Sequence, residues 1–239
     1  MTTSEILQRV SHFESLCRKH TESDIGTLPS VVADSIRQKS RLLEHLYRFS
    51  CCYWGCHGRE HVFEHLAGRC VSSLIAAERL TTMGYYDECM SLIRSVGEIA
   101  NLLNMFMFDH TKIRQWLDCS EKERRREFKP YKVREFLEKN DFLVPFTGDH
   151  YGRLCERFVH PNPQTKPQAH DDNQQPILGA HYQREGFLTA NWQSCYALTV
   201  VSGPIAKLAD YPEEESKKMI EWTVELFNLS CQHIGEDGE

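Results

Sequence analysis

The stretch from Ser91 to Asp109, SLIRSVGEIANLLNMFMFD, constrains this chain more than any other. Leu92, Ile93, Val96, Ile99, Ala100, Leu103 and Met107 fall on one broad face at helical spacing. Met105, Phe106 and Phe108 carry the apolar surface further round toward the C-terminal end. A helix apolar nearly all round belongs inside a bundle. A narrow polar line runs against it: Arg94, Glu98 and Asn101, spaced i, i+4, i+7. Arg94 and Glu98 are one turn apart and can pair. The line is either the wet face of an amphipathic helix or a charged pair held within a bundle for a site.

Around this helix the rest of the chain reads as further helices. Residues 3–20 place Ile6, Leu7, Val10, Phe13 and Leu16 at helical spacing, with Ser4 or Thr3 as a cap. Pro29 opens a second helix to about Phe49, with Val32, Ile36, Leu43, Leu46 and Tyr47 on its apolar face. A third runs from Glu60 to about Met83, ended by Gly84. Shorter helices follow at 111–119, 131–139 and 149–160, with a cap and first turn at Ser120. Residues 161–185 are rich in Pro, Gln, Asn, Asp and His and read as a long polar loop. A second very apolar helix, 187–209, contains Pro204, which can kink it, and Pro212 opens the last helix. The expectation is all-α: a multi-helix bundle of roughly eight to nine helices. No strand pattern and no repeat interrupts it, so residues 1–239 are expected to form a single domain.

Composition narrows the function classes. At 239 residues the chain is long enough for a full core without disulfides or metal. A net charge of -6 removes a global nucleic-acid footprint, so any RNA contact must use a local patch. The ten cysteines are scattered, several on apolar faces, which suits reduced thiols in a cytoplasmic protein. MTTSEILQRV has neither the basic start nor the apolar core of a signal peptide, and no apolar run is long enough for a membrane span. No cofactor is expected.

Chemistry gathers first in YGRLCERFVHPNPQT, residues 151–165. Arg153, Arg157 and His160 are spaced i, i+4, i+7 and can line one side of a helix end. A histidine exchanges protons near neutral pH, and an arginine can hold a phosphate or the charge developing on it. These two groups are the minimum for RNA cleavage without metal, the 2'-hydroxyl being the nucleophile. The plain alternative is a capping histidine stacked on Pro161 beside solvated arginines.

Arg153, six intervening residues and His160 resemble the R-x(4–6)-H motif of the HEPN superfamily. These are all-helical proteins frequent in toxin–antitoxin, abortive-infection and other antiphage defence systems. The pairing of LIRSVGE with the later YGRLCERFVHPN is also similar to a bacterial HEPN-like branch with an Arg-Ser-x-x-Glu helix. The likeness spans roughly residues 60–165. It implies a HEPN-like core, a metal-independent endoribonuclease acting as a dimer, Arg153 and His160 as the catalytic pair, and Arg94 and Glu98 as the supporting helix pair, with Arg157 beside them. Leu154 departs from the small polar residue that active family members usually carry after the motif arginine. That departure and the acidic net charge favour a non-catalytic interaction or regulatory module as the alternative. The partners implied are RNA, a second copy in a homodimer, or a protein partner in a defence system.

Two further clusters compete. Cys51, Cys52, Cys56, His57, His61 and His65 lie close together, and His61-Val-Phe-Glu64-His65 matches the H-x-x-E-H pattern of one zinc peptidase group. Twelve histidines make chance matches easy, and the mixed α/β context of that group is missing. No metal ligands are therefore assigned, a metal-binding role through His61 and His65 remaining the minor alternative. Arg124, Arg125, Arg126, Lys129 and Lys132 form a local basic cluster. It is either a solvated helix face or an RNA-backbone contact on which Phe128 or Tyr131 could stack a base.

Overall fold

The computed structural model of the protein describes residues 4–56, 60–161, 173, 175, 179–210 and 212–234. His57 and most of the polar stretch 161–185 lie outside the described residues. Among the described residues ten α-helices follow in order: α1 (Glu5–Ile25), α2 (Ser30–Ser50), α3 (Val62–Thr82), α4 (Tyr86–Phe108), α5 (Thr111–Asp118), α6 (Glu121–Glu127), α7 (Pro130–Lys139), α8 (Gly148–Phe158), α9 (Arg184–Leu208) and α10 (Glu213–Ile234). There is no strand among the described residues. The helix beyond the expected eight to nine is α6. Its Ser120 cap accepts from the Glu123 backbone while Glu123 reaches back to the Ser120 N–H, a closed capping box that sustains seven residues rather than one turn.

The two apolar helices expected at the centre are there. α4 packs most heavily on α9 and α3, α10 covers α9 and α2, and α7 and α8 lie along α4. Ile93, Val96, Ala100, Leu103 and Phe106 of α4 are fully enclosed, as are Ala197, Leu198, Val201 and Ile205 of α9. Each large apolar side chain so enclosed contributes about 1.5–3 kcal/mol. α9 continues unbroken through Pro204, which is itself buried. A smaller cluster of Met105, Val133 and Leu137 joins the end of α4 to α7. No helix among the described residues is long and apolar enough to cross a membrane.

Two expected apolar faces are corrected. α1 leaves Ile6, Leu7, Phe13 and Leu16 exposed and buries Cys17 and Thr21, because only its C-terminal part reaches α3 and the 82–85 turn. On α2 the buried face is rotated: Val32, Leu42, Leu46 and Phe49 are inside and Tyr47 is exposed. The rotation buries Lys39, whose ammonium donates to Glu78 and, at 2.8 Å, to Asn191 Oδ1. Burial pulls the Lys39 pKa down, but Glu78 outweighs it and leaves the lysine above its ordinary value.

Candidate functional site

α8 exists because Thr147 caps it, accepting a 3.2 Å bond from the His150 backbone, with Asp149 in the first turn. Its inner face is Tyr151, Leu154, Cys155 and Phe158, spaced i, i+3, i+4, i+7. Leu154 and Cys155 are buried against α4, while Tyr151 and Phe158 are half-buried. Ser91 Oγ donates to the Phe158 carbonyl at 3.2 Å and fastens the far end of the helix. The position after the motif arginine is thus a core position, which explains an apolar Leu154 there.

The polar line of α4 is what α8 and its lead-in partly cover. Arg94 Nη1 donates to Glu98 Oε1 at 2.8 Å and also to the Tyr151 hydroxyl. Tyr151 Oη in turn donates to Glu98 Oε1 at 2.8 Å, closing a three-membered network. The Arg94 and Glu98 side chains retain 21% and 32% exposure, so the pair is half-buried rather than enclosed. Asn101, the last member of the line, is buried and grips the Phe146 backbone twice, through a 2.8 Å bond to its carbonyl and a 3.0 Å bond from its N–H. Gly97 lies between them. A Cβ there would come within 2.4 Å of the Phe146 ring, so only glycine lets the 145–147 segment approach α4 this closely.

A second guanidinium comes from α7. Arg134 Cζ lies 4.4 Å from the centroid of the Tyr151 ring, and Arg94 Cζ lies 5.3 Å from it. Arg94 Nε and Arg134 Nη1 are buried donors with no hydrogen-bond partner among the described residues. Burial first, then the Glu98 carboxylate, push the Tyr151 phenol well above its ordinary pKa, so it remains a neutral donor. Burial pulls Arg94 down, but Glu98, Tyr151 and Cys155 together more than reverse this, and the guanidinium stays charged.

Arg153, Arg157 and His160 are all exposed. α8 ends at Phe158, and the His160 N–H donates back to the Cys155 carbonyl at 2.7 Å, tying the histidine to the last turn. His150, one residue before Tyr151, turns inward. It stacks on Phe146 at 4.6 Å between centroids and bonds Gln193 at 3.1 Å. Burial lowers the His150 pKa, and the charge on Arg153 lowers it further against the Gln193 bond.

The basic cluster is internally compensated. Arg125 pairs with Glu121, Arg126 with Glu127 at 2.7 Å and Lys132 with Glu135 at 2.6 Å. Arg124 donates to the Trp116 and Cys119 carbonyls, at 3.2 and 3.1 Å. Lys129 sits 4.6 Å over the Tyr131 ring. His61 precedes α3 in a left-handed conformation, and its ring lies 6.0 Å from that of the exposed His65.

The structure therefore joins Arg94 to Glu98, and leaves Arg153 and Arg157 exposed on the open side of the same helix that covers them, with His160 exposed just past its end. Sequence reasoning missed Tyr151 and Arg134 as members of the site. The spacing of Tyr151 with Leu154, Cys155 and Phe158 was a usable signal for the first; nothing in the sequence marks the second. No family model, no curated protein and no solved structure matches this chain.

Proposed function

We propose that this is a HEPN-like helical protein of bacterial stress or phage defence that cleaves RNA without metal at the end of α8. The observation that carries the proposal is the two-sidedness of α8. Its inner face is locked to α4 through Tyr151, Arg94 and Glu98, Arg153 and Arg157 stand exposed on the remainder, and His160 is exposed two residues past its end. A rigid helix end offering two guanidinium groups and an imidazole suits a phosphodiester. In the reaction the 2'-oxygen bonds to phosphorus as the bond to the 5'-oxygen breaks. His160 exchanges the proton that the nucleophile loses or the leaving oxygen gains, and Arg153 holds the charge on the phosphoryl oxygens. The products are a 2',3'-cyclic phosphate and a 5'-hydroxyl.

The test is labelled RNA incubated in EDTA with wild type and His160→Ala. The expected result is cleavage by wild type, reduced about 10²–10⁴-fold in the variant. Equal decay in both, or none in either, removes the catalytic reading. The second reading, a non-catalytic interaction module, is favoured by the buried Leu154 and by the exposed apolar residues of α1 (Ile6, Leu7, Phe13, Leu16) and α10 (Val224, Phe227). Under that reading His160→Ala is silent, and substitutions on α1 or α10 change the oligomeric state or partner binding.

A further inference from the structure

The connection from α2 to α3 brings two thiols and an imidazole together, and we propose that it binds one zinc-class divalent ion through Cys52, Cys56 and His61. The Sγ atoms of Cys52 and Cys56 and a ring nitrogen of His61 all lie within 4.8 Å of one another. Cys52 Sγ is 3.5 Å from His61 Nδ1. A tetrahedral centre with Zn–S of about 2.3 Å and Zn–N of about 2.0–2.1 Å requires an S···N edge of roughly 3.6 Å. The pair already stands at that separation.

The backbone is shaped to bring these side chains together. α2 ends with Cys52 N–H bonded to the Phe49 carbonyl at 2.9 Å and Tyr53 N–H to the Arg48 carbonyl at 3.0 Å. This is the helix ending that usually places glycine in the left-handed position, and here the residue is Cys52, at φ 54°. Gly55, at φ 110°, turns the chain toward Cys56. His61, at φ 46°, starts α3 and makes no side-chain cap. Side chains at two positions where glycine or asparagine is the ordinary choice thus converge on one another.

Glu64 is a separate observation. It lies in the first turn of α3 and is 7% exposed. Its Oε1 points at the same imidazole nitrogen, 3.8 Å from His61 Nδ1. A buried carboxylate is costly unless a donor or a cation meets it. Two thiolates and one imidazole, with a carboxylate beside the imidazole, are donors of the kind that selects zinc over magnesium or calcium. His65, although next in the H-x-x-E-H pattern, is exposed and outside the set. The ion would staple α2 to α3 and is independent of the chemistry proposed on α8.

The experiment uses the full chain, purified under reducing conditions and titrated with Co²⁺ and Zn²⁺. The expected result is one ion per chain, a thiolate-to-cobalt charge-transfer band, and displacement of cobalt by zinc. Cys52→Ser and Cys56→Ser should each weaken uptake by more than about 100-fold, beyond the cost of losing an outer-shell partner. His65→Ala should bind as wild type. A reduced wild-type chain that takes up neither ion overturns the proposal without reference to any variant. So does uptake that survives both serine variants or is lost in His65→Ala, and so does a Cys52–Cys56 disulfide that persists in reductant.

Discussion

The Tyr151 hydroxyl donates to Glu98 at 2.8 Å while accepting from Arg94, the residue one helical turn before that glutamate. One phenol thus completes an ion pair on a neighbouring helix and docks its own helix by doing so. The exposed side of α8 inherits its position from this contact.

Tyr151→Phe should therefore destabilise the fold by about 1–3 kcal/mol, since it leaves a half-buried donor and acceptor short of a partner while keeping the ring. Arg94→Ala should cost a similar amount. The roughly 3–5 kcal/mol typical of breaking a fully buried pair is too high here, because both side chains retain contact with water. Urea unfolding followed by circular dichroism measures both. A loss below about 0.5 kcal/mol in each would show that α8 is held by its apolar residues alone.

Gly97→Ala should be destabilising although alanine is the better helix former by about 1 kcal/mol. The added carbon meets the Phe146 ring at 2.4 Å, and Phe146 cannot retreat while Asn101 holds its backbone from both sides. A net loss of about 1–3 kcal/mol is the usual cost of such overpacking. Gly97→Ala combined with Phe146→Leu should recover part of it. A stabilised single variant would contradict the close approach.

The all-helical class and the central place of Ser91–Asp109 were legible because long apolar runs at helical spacing admit little else. So was the Arg94–Glu98 pair, since both residues lie on one helix a turn apart. What the sequence concealed depends on contacts between distant segments. Tyr151 and Arg134 reach the pair on α4 from two other helices, and no local pattern marks that meeting. Asn101 read as part of a polar stripe, yet its amide replaces a missing backbone partner for Phe146. The α1 face misled because amphipathic spacing says which residues could be covered but not whether anything covers them. Lys39 escaped notice because burial of a lysine depends on Glu78, on another helix.

Stability should fall as the solution is acidified below neutrality. Burial is the first cause holding both His45 and His150 below the ordinary imidazole value of 6.5. The Glu215 carbonyl and carboxylate oppose this at His45, and Gln193 opposes it at His150, without reversing it. A depressed folded-state pKa means that the unfolded chain takes up the proton first. The contribution is therefore complete above about pH 6.5 and is lost as pH drops through the folded-state values. The melting temperature should decline between about pH 7 and pH 5, and His45→Gln with His150→Gln should flatten that decline. An identical slope in the double variant would place the acid sensitivity elsewhere.

If RNA is bound as proposed, the salt dependence of that binding separates the two groups of basic residues. Each phosphate contact releases counterions, so its loss reduces the slope of log affinity against log salt by about 0.7 for a single strand. Arg125 already has Glu121 as an ion-pair partner, and a phosphate must compete with that carboxylate. Arg153 and Arg157 are exposed, and neither has an ion-pair partner among the described residues. Arg157→Ala should therefore weaken binding and lower the slope by about 0.7, whereas Arg125→Ala should leave the slope within about 0.2 of wild type. Arg153→Lys should keep most of the slope, because the charge remains, yet lose cleavage, because an ammonium cannot make the planar two-pronged contact to phosphate. Filter binding of a short labelled RNA at several salt concentrations, beside cleavage of the same RNA, reads all three. If Arg125→Ala lowers the slope and Arg157→Ala does not, the strand runs along α6 and the end of α8 is not its site.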